Sequence, residues 1–134
     1  MDTPMTQNSF WILTALADQP RHGYDILSQV EHLSGGTVTL RANTLYAALE
    51  RLASEQRIEV EREEIVNGRA RRYYRLTPTG HEDLAAEIDL LEARAHAARA
   101  RLLTQRRMTP APAPRLLRAG RYTVLPQRWV QPIN

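Results

Sequence analysis

Leu45, Leu49 and Leu52 recur at i, i+4 and i+7, the spacing that puts three side chains on one face of a helix. Residues 41–56 therefore predict an amphipathic helix, and Ala42, Ala47, Ala48 and Ala53 favour it as good helix formers. Upstream, Phe10, Leu13 and Ala17 share one helical face, and Ile12 and Leu16 line the adjacent one. This predicts a first helix over residues 6–18, with Thr6 as its cap and Pro20 just past its end. A second helix is expected over about residues 23–33, with Ile26 or Leu27, Val30 and Leu33 inward. Gly35-Gly36 breaks it.

After residue 57 the period changes from 3.6 to 2. Ile58-Glu59-Val60-Glu61 alternates apolar and polar, as a half-buried strand does. Asn67-Gly68 is a strong hairpin signal, because both residues tolerate positive φ. The return strand, residues 69–76, carries four arginines and no acid. Thr77-Pro78 then opens a last helix, with threonine as N-cap and proline at the first helical position. Along it Leu84, Ile88, Leu91, Ala95, Ala98 and Leu102 step by 4, 3, 4, 3 and 4, a heptad seam. Such a seam needs a partner, either the first helix of its own chain or a second copy. A helix of about 30 residues, roughly 45 Å long, exceeds what one small domain covers, which favours a homodimer.

Composition narrows the partners. Formal net charge is +3, and all eighteen basic residues are arginine. Arginine binds phosphate and guanine through two donors at once. The same bias is equally what a GC-rich genome would produce. The basic excess lies in residues 41–80 and in residues 109–134, whereas residues 1–40 are acidic. The absence of cysteine excludes disulfides and thiolate metal sites and fits a reducing cytoplasm. No apolar run approaches a membrane span, and the N-terminus lacks a signal-peptide pattern.

The chemistry gathers at residues 41–72. Arg41, Asn43, Thr44 and Tyr46 sit in the first turns of the amphipathic helix, where a recognition helix places its base contacts. Arginine reads guanine, asparagine reads adenine, and a threonine hydroxyl suits a phosphate oxygen. The same polar face would serve an ordinary solvated helix. The hairpin that follows puts Asn67, Gly68, Arg69, Arg71 and Arg72 at its turn side, although cross-strand pairing with Glu59, Glu61, Glu63 and Glu64 would use some arginines. Tyr24, at the start of the second helix, suits a phosphate contact or a packed ring with its hydroxyl at the rim. No phosphate-binding glycine loop or nucleophile elbow is present, and the four histidines form no i, i+4 pair. An enzyme, a cofactor and a metal site are therefore not expected.

Four motifs in order, His22-Gly-Tyr-Asp-Ile-Leu27, Asn43-Thr-Leu-Tyr46, Leu49-Glu-Arg-Leu52 and Gly68-Arg…Arg72-Tyr-Tyr-Arg-Leu-Thr77, resemble the PadR family of transcriptional regulators. The resemblance covers about residues 8–100. It implies a mainly α fold with a small β-hairpin: a winged helix-turn-helix followed by a long C-terminal dimerisation helix. It also implies that double-stranded DNA and a second copy of the chain are the partners. Arg51, in the third motif, joins the expected DNA-binding residues. In that family the first helix and the dimer helix flank the effector region, which points to Phe10 and Trp11 as contacts for a small aromatic or hydrophobic effector. Two departures stand out. Arg41-Ala42-Asn43 replaces the usual Ser-Pro-Gly, and Gln56 stands where a glycine usually ends the helix. In the same geometry that glutamine would cost about 1 kcal/mol.

The expected organisation is a DNA-binding unit over residues 1–80, a dimerisation helix over 81–108 and a flexible Pro/Arg-rich tail over 109–134. The whole reads as an effector-responsive repressor of a pseudo-palindromic operator. The alternative is a winged-helix module for protein contacts, which the acidic strand and the tail would support. The tail holds five of the eight prolines and four arginines without an acid. A chain ending at Met108 should melt within about two degrees of the full chain. It should bind DNA with a shallower salt dependence, because a basic arm is lost. A large fall in melting temperature would instead mean that Tyr122–Leu125 and Trp129 dock on the body.

Overall fold

A computed structural model describes residues 5–108; the expected tail lies outside them. The element order is α1 (Gln7–Ala15), β1 (Arg21–His22), α2 (Gly23–Leu33), α3 (Ala42–Ser54), β2 (Ile58–Val66), β3 (Arg69–Leu76) and α4 (Pro78–Met108). The strands form one antiparallel sheet in the order β1-β3-β2. This is a winged helix-turn-helix with a long C-terminal helix. The chain divides into two compact units at Ala93 and Arg94. The first takes in everything up to the opening half of α4. In the second, the described side chains from residues 94 to 107 are all exposed.

The core of the first unit is built where the helical spacing placed it. Leu45, Leu49 and Leu52 of α3 are 0–1% exposed and meet Ile12 and Leu13 of α1 and Ile26 and Val30 of α2. Ile58, Tyr74 and Leu84 close it from the sheet and α4. Two expected inward positions differ. Leu33 is 41% exposed and Ala17 is exposed, because each lies at or past its helix end. The first helix also stops three residues early. The Ala15 carbonyl accepts from Arg21 Nε at 2.7 Å, so the last turn is closed by a side chain.

β1 is an element the sequence did not announce. Two residues cannot show an alternating pattern, and His22 stands just before the expected second helix. Arg21 and His22 pair with Tyr74 and Tyr73, and His22 Nδ1 accepts from the Asp25 amide as the α2 cap. Arg21 is buried and also binds Asp25 (2.9 Å) and Asp18 (3.2 Å). Burial works against its charge, and the two carboxylates outweigh that, so its pKa is raised. The hairpin turns at Asn67 and Gly68 with φ of 53° and 77°, as a two-residue turn of this hand requires.

α2 and α3 end in the same way. In α2, Gly36 N–H bonds to the Glu31 carbonyl and Gly35 N–H to that of His32, with Gly35 at φ 65°. In α3, Arg57 N–H bonds to Leu52 and Gln56 N–H to Ala53, with Gln56 at φ 62°. Both are Schellman caps, so the left-handed geometry is kept at Gln56 without the glycine that favours it. Just beyond, Thr77 N–H donates to the Arg57 carbonyl, and Gly80 packs on that carbonyl so closely that a Cβ would lie 2.0 Å from the oxygen. Gln56→Gly should therefore stabilise the protein by about 1 kcal/mol, a rise of roughly 4 °C in melting temperature. Gly80→Ala should destabilise it by about 2 kcal/mol or more, because the clash is with backbone. Thermal denaturation of the two variants checks both signs, and equal effects would contradict the account.

Candidate nucleic-acid interface

β1 pairs with Tyr73 and Tyr74, so among the described residues the edge of β3 from Arg69 to Arg72 has no strand neighbour on that side. A cleft of about 850 Å³ opens along this edge, between the wing and the start of α2. Tyr24, Tyr46 and Asn67 line it together with Arg69, Arg71 and Arg72. Tyr24 is 79% exposed, so its ring is not a core ring. Tyr46 leans from α3 onto Gly23, where a Cβ would meet its hydroxyl at 2.6 Å. The missing side chain of Gly23 thus lets Tyr46 of α3 approach the cleft. Gly68 sits at the turn beside it, with open space around its Cα.

The wing sorts its charges. Arg72 Nε reaches Glu63 at 2.6 Å and Arg75 Nε reaches Glu59 at 2.8 Å, both across the strands. The bond to Glu63 raises the pKa of Arg72. Cross-strand pairing therefore accounts for these two arginines. Arg69 and Arg71 have no ion pair among the described residues, although Glu64 lies directly opposite Arg71 in the register. Glu64 is taken by Arg62 instead, at 2.9 Å. Two cations nearest the turn are left facing the cleft region.

α3 presents its start differently from the other helices. Thr6, His22 and Thr77 cap α1, α2 and α4 through their side chains. Arg41, at the α3 N-cap, makes no side-chain cap bond. Asn43 Oδ1 accepts from the Thr44 amide at 2.9 Å, leaving the side-chain amide donors outward. Arg41, Asn43 and Thr44 are all exposed. Asn43 and Thr44 border a second, smaller hollow of about 460 Å³ with Thr6, Asn8 and Arg51. Arg51 is anchored there, donating to Ser9 Oγ at 2.7 Å.

The expected DNA-binding residues thus fall into two groups: one around the wing cleft, and one along α3 toward the α1 N-terminus. Arg41 borders neither hollow. His22 was not among the expected residues, yet it lines the cleft and stacks edge to face on Tyr73 at 5.3 Å. Its place three residues before Asp25, at a helix start, was the available signal. Phe10 and Trp11 meet edge to face at 5.2 Å and are partly buried against the core. On α4, Leu84 is 6% exposed and belongs to the core of its own chain. Ile88 and Leu91 are 41% and 40% exposed, Leu102 is 69% exposed, and Ala95 and Ala98 are exposed. Among the described residues no helix is long and apolar enough to cross a membrane.

Residues 12–86 match the transcriptional regulator PadR-like family. Among curated proteins, the chain is 41% identical over 85 residues to the uncharacterized 37.1 kDa protein in transposon TN4556 of Streptomyces fradiae, covering 63% of this chain and 21% of that one. It is 30% identical over 69 residues to uncharacterized protein X of Lysinibacillus sphaericus, covering 52% and 63%. The chain therefore spans less than two thirds of the length of either relative. Among solved structures, Bacillus subtilis PadR in complex with operator DNA superposes with a TM-score of 0.58 at 26% identity, over 64% of this chain and 48% of that one. A PadR family regulator from Clostridium difficile R20291 gives 0.61 at 24% identity, over 72% and 99%, and supports the fold. With its wing, its helix-turn-helix and the match over residues 12–86, the chain belongs to the PadR-like family, a family of transcriptional regulators and not of enzymes.

Proposed function

We propose that the chain is a homodimeric regulator that binds duplex DNA at a pseudo-palindromic operator and acts as an effector-responsive repressor in the cytoplasm. The observation that carries the DNA reading is the pair Arg69 and Arg71, without carboxylate partners among the described residues and beside a cleft that Tyr24, Tyr46 and Asn67 also line. Phosphate is the anion such a cleft tracks, and the exposed start of α3 supplies Arg41 and Asn43 to base edges and the Thr44 hydroxyl to a phosphate oxygen. That Bacillus subtilis PadR was solved on operator DNA supports the reading. The acidic strand, which would have favoured a protein-interaction module, has its carboxylates turned to Arg62, Arg72 and Arg75.

The dimer reading rests on α4. With Leu84 in its own core, Ile88, Leu91, Ala95, Ala98 and Leu102 remain as the exposed positions of the seam among the described residues. Phe10 and Trp11, partly buried near the surface of α1, are the proposed contacts for a small aromatic or hydrophobic effector.

Binding to duplex DNA should weaken steeply with salt. If each protomer neutralises about three phosphates, log K should fall against log salt with a slope near about −5. A slope near zero on the best operator would sink the DNA reading. Asn43→Ala should relax base preference, whereas Arg71→Ala should weaken specific and random duplexes alike. Equal losses from both variants on both DNAs would contradict that division of labour.

Leu91→Glu should dissociate the dimer, because pairing would bury an unpaired charge at a cost of several kcal/mol (about 3–5). The side chain is exposed enough in the single chain that helix content should persist. Light scattering with circular dichroism reads both, and a wild-type monomer at micromolar concentration would refute the dimer.

A further inference from the structure

We propose that Arg62 is a positioning residue for DNA binding: by occupying the Glu64 carboxylate it keeps Arg71 available to a phosphate. The inference rests on the DNA reading above, and adds a role for a residue on the acidic strand.

Strand register sets up the competition. Glu64 stands directly opposite Arg71, and Arg62 directly opposite Tyr73, so all four side chains share one face of the hairpin. Opposite charges facing each other across antiparallel strands ordinarily pair. Glu63 and Arg72 do so one position away. Glu64 does not, because Arg62 Nε holds its Oε1 at 2.9 Å. Three further contacts fix Arg62 or its platform. Its Nη1 binds Glu61 Oε1 at 2.5 Å, its guanidinium lies 3.8 Å above the Tyr73 ring, and that ring is held edge to face by His22.

The backbone explains why one guanidinium can reach both acids. The register passes from Val60 opposite Tyr74 to Arg62 opposite Tyr73, so Glu61 is an extra residue, a β-bulge. In a regular strand Val60 and Arg62 would share the core-facing side and Glu61 would point the other way. The bulge turns Arg62 to the outer face and brings Glu61 near it. One cation thus satisfies two carboxylates. Removing it would leave Glu64 with Arg71 as the nearest cross-strand cation, and Arg71 would be withdrawn from the cleft it lines.

The test is a set of variants on the full chain, titrated into a fluorescein-labelled random duplex. The phosphate term needs no operator. Arg62→Ala is expected to lose about as much affinity as Arg71→Ala, and the double variant little more than either. Glu64→Gln should restore Arg62→Ala to within about twofold of wild type, and should improve the wild type much less. Additive losses from Arg62→Ala and Arg71→Ala, or equal gains from Glu64→Gln in both backgrounds, would mean that Arg62 meets phosphate itself or acts by net charge, and would overturn the proposal. A second readout is independent of DNA. The Arg71 Nε–H resonance should shift and gain exchange protection in Arg62→Ala, and return to its wild-type position when Glu64→Gln is added. An unmoved resonance overturns the charge sorting. If the wild type shows no salt-dependent binding, the DNA reading falls with the role in binding, and the resonance still decides whether Arg62 withholds Glu64 from Arg71.

Discussion

Four segments of this protein meet at the backbone of Arg57. Its amide closes the Schellman cap of α3 on Leu52, and its carbonyl receives the amide of Thr77. Gly80 of α4 rests on the same carbonyl with no room for a side chain. The guanidinium is buried and reaches forward to Asp83 at 2.9 Å and back toward Glu55 at 3.5 Å. Thr77 adds a hydroxyl bond to the Gln56 carbonyl while capping α4. Because β2 leaves from one side of this junction and β3 returns to the other, both roots of the wing are tied to the end of α3. A wing keeps a fixed distance from the helix beside it only if its roots are tied to that helix. Here the distance is set by hydrogen bonds at one crossing, with the tip left exposed.

The wing carries nearly as many acids as arginines, so net charge alone says little about what it binds. Position decides. Glu59 and Glu63 answer Arg75 and Arg72 across the strands, while Glu61 and Glu64 both answer Arg62. Exposed pairs of this kind contribute little to stability, about 0–1 kcal/mol each. Their value lies in which cation they leave alone. An arginine with a carboxylate partner must give it up to meet a phosphate, and one without a partner need not.

Much of this was legible in the chain. The leucines at 45, 49 and 52 marked the buried face of α3, and the Asn67-Gly68 turn and the Thr77 cap lie where turn and cap chemistry put them. Local signals of that kind survive folding because they depend on neighbours in sequence. What stayed hidden depends on partners far along the chain. β1 exists only because Tyr73 and Tyr74 lie across from Arg21 and His22, and two residues leave no period to read. The bulge at Glu61 is invisible in an alternating run of acids, yet it moves Arg62 to the other face. Arg51, an expected DNA-binding residue, also donates to Ser9, 42 residues away, a contact that no local spacing shows. Leu84 fitted a heptad seam by spacing and is used by the core instead.

Both ends of α3 carry less local stabilisation than they might. At its start Arg41 offers no capping bond, where a Ser, Thr, Asp or Asn cap is worth about 1 kcal/mol. At its end Gln56 holds a left-handed conformation that favours glycine. The helix is kept in place by its buried face, in which Leu45, Leu49 and Leu52 are almost entirely out of water, at about 1.5–3 kcal/mol for each such side chain. The Arg41 side chain takes none of the first-turn amides of α3, and the Thr44 amide is met by Asn43 Oδ1 instead. Those amides point along the positive end of the helix, where a phosphate oxygen is favoured. A side-chain cap at position 41 would make α3 more stable and would occupy a first-turn donor.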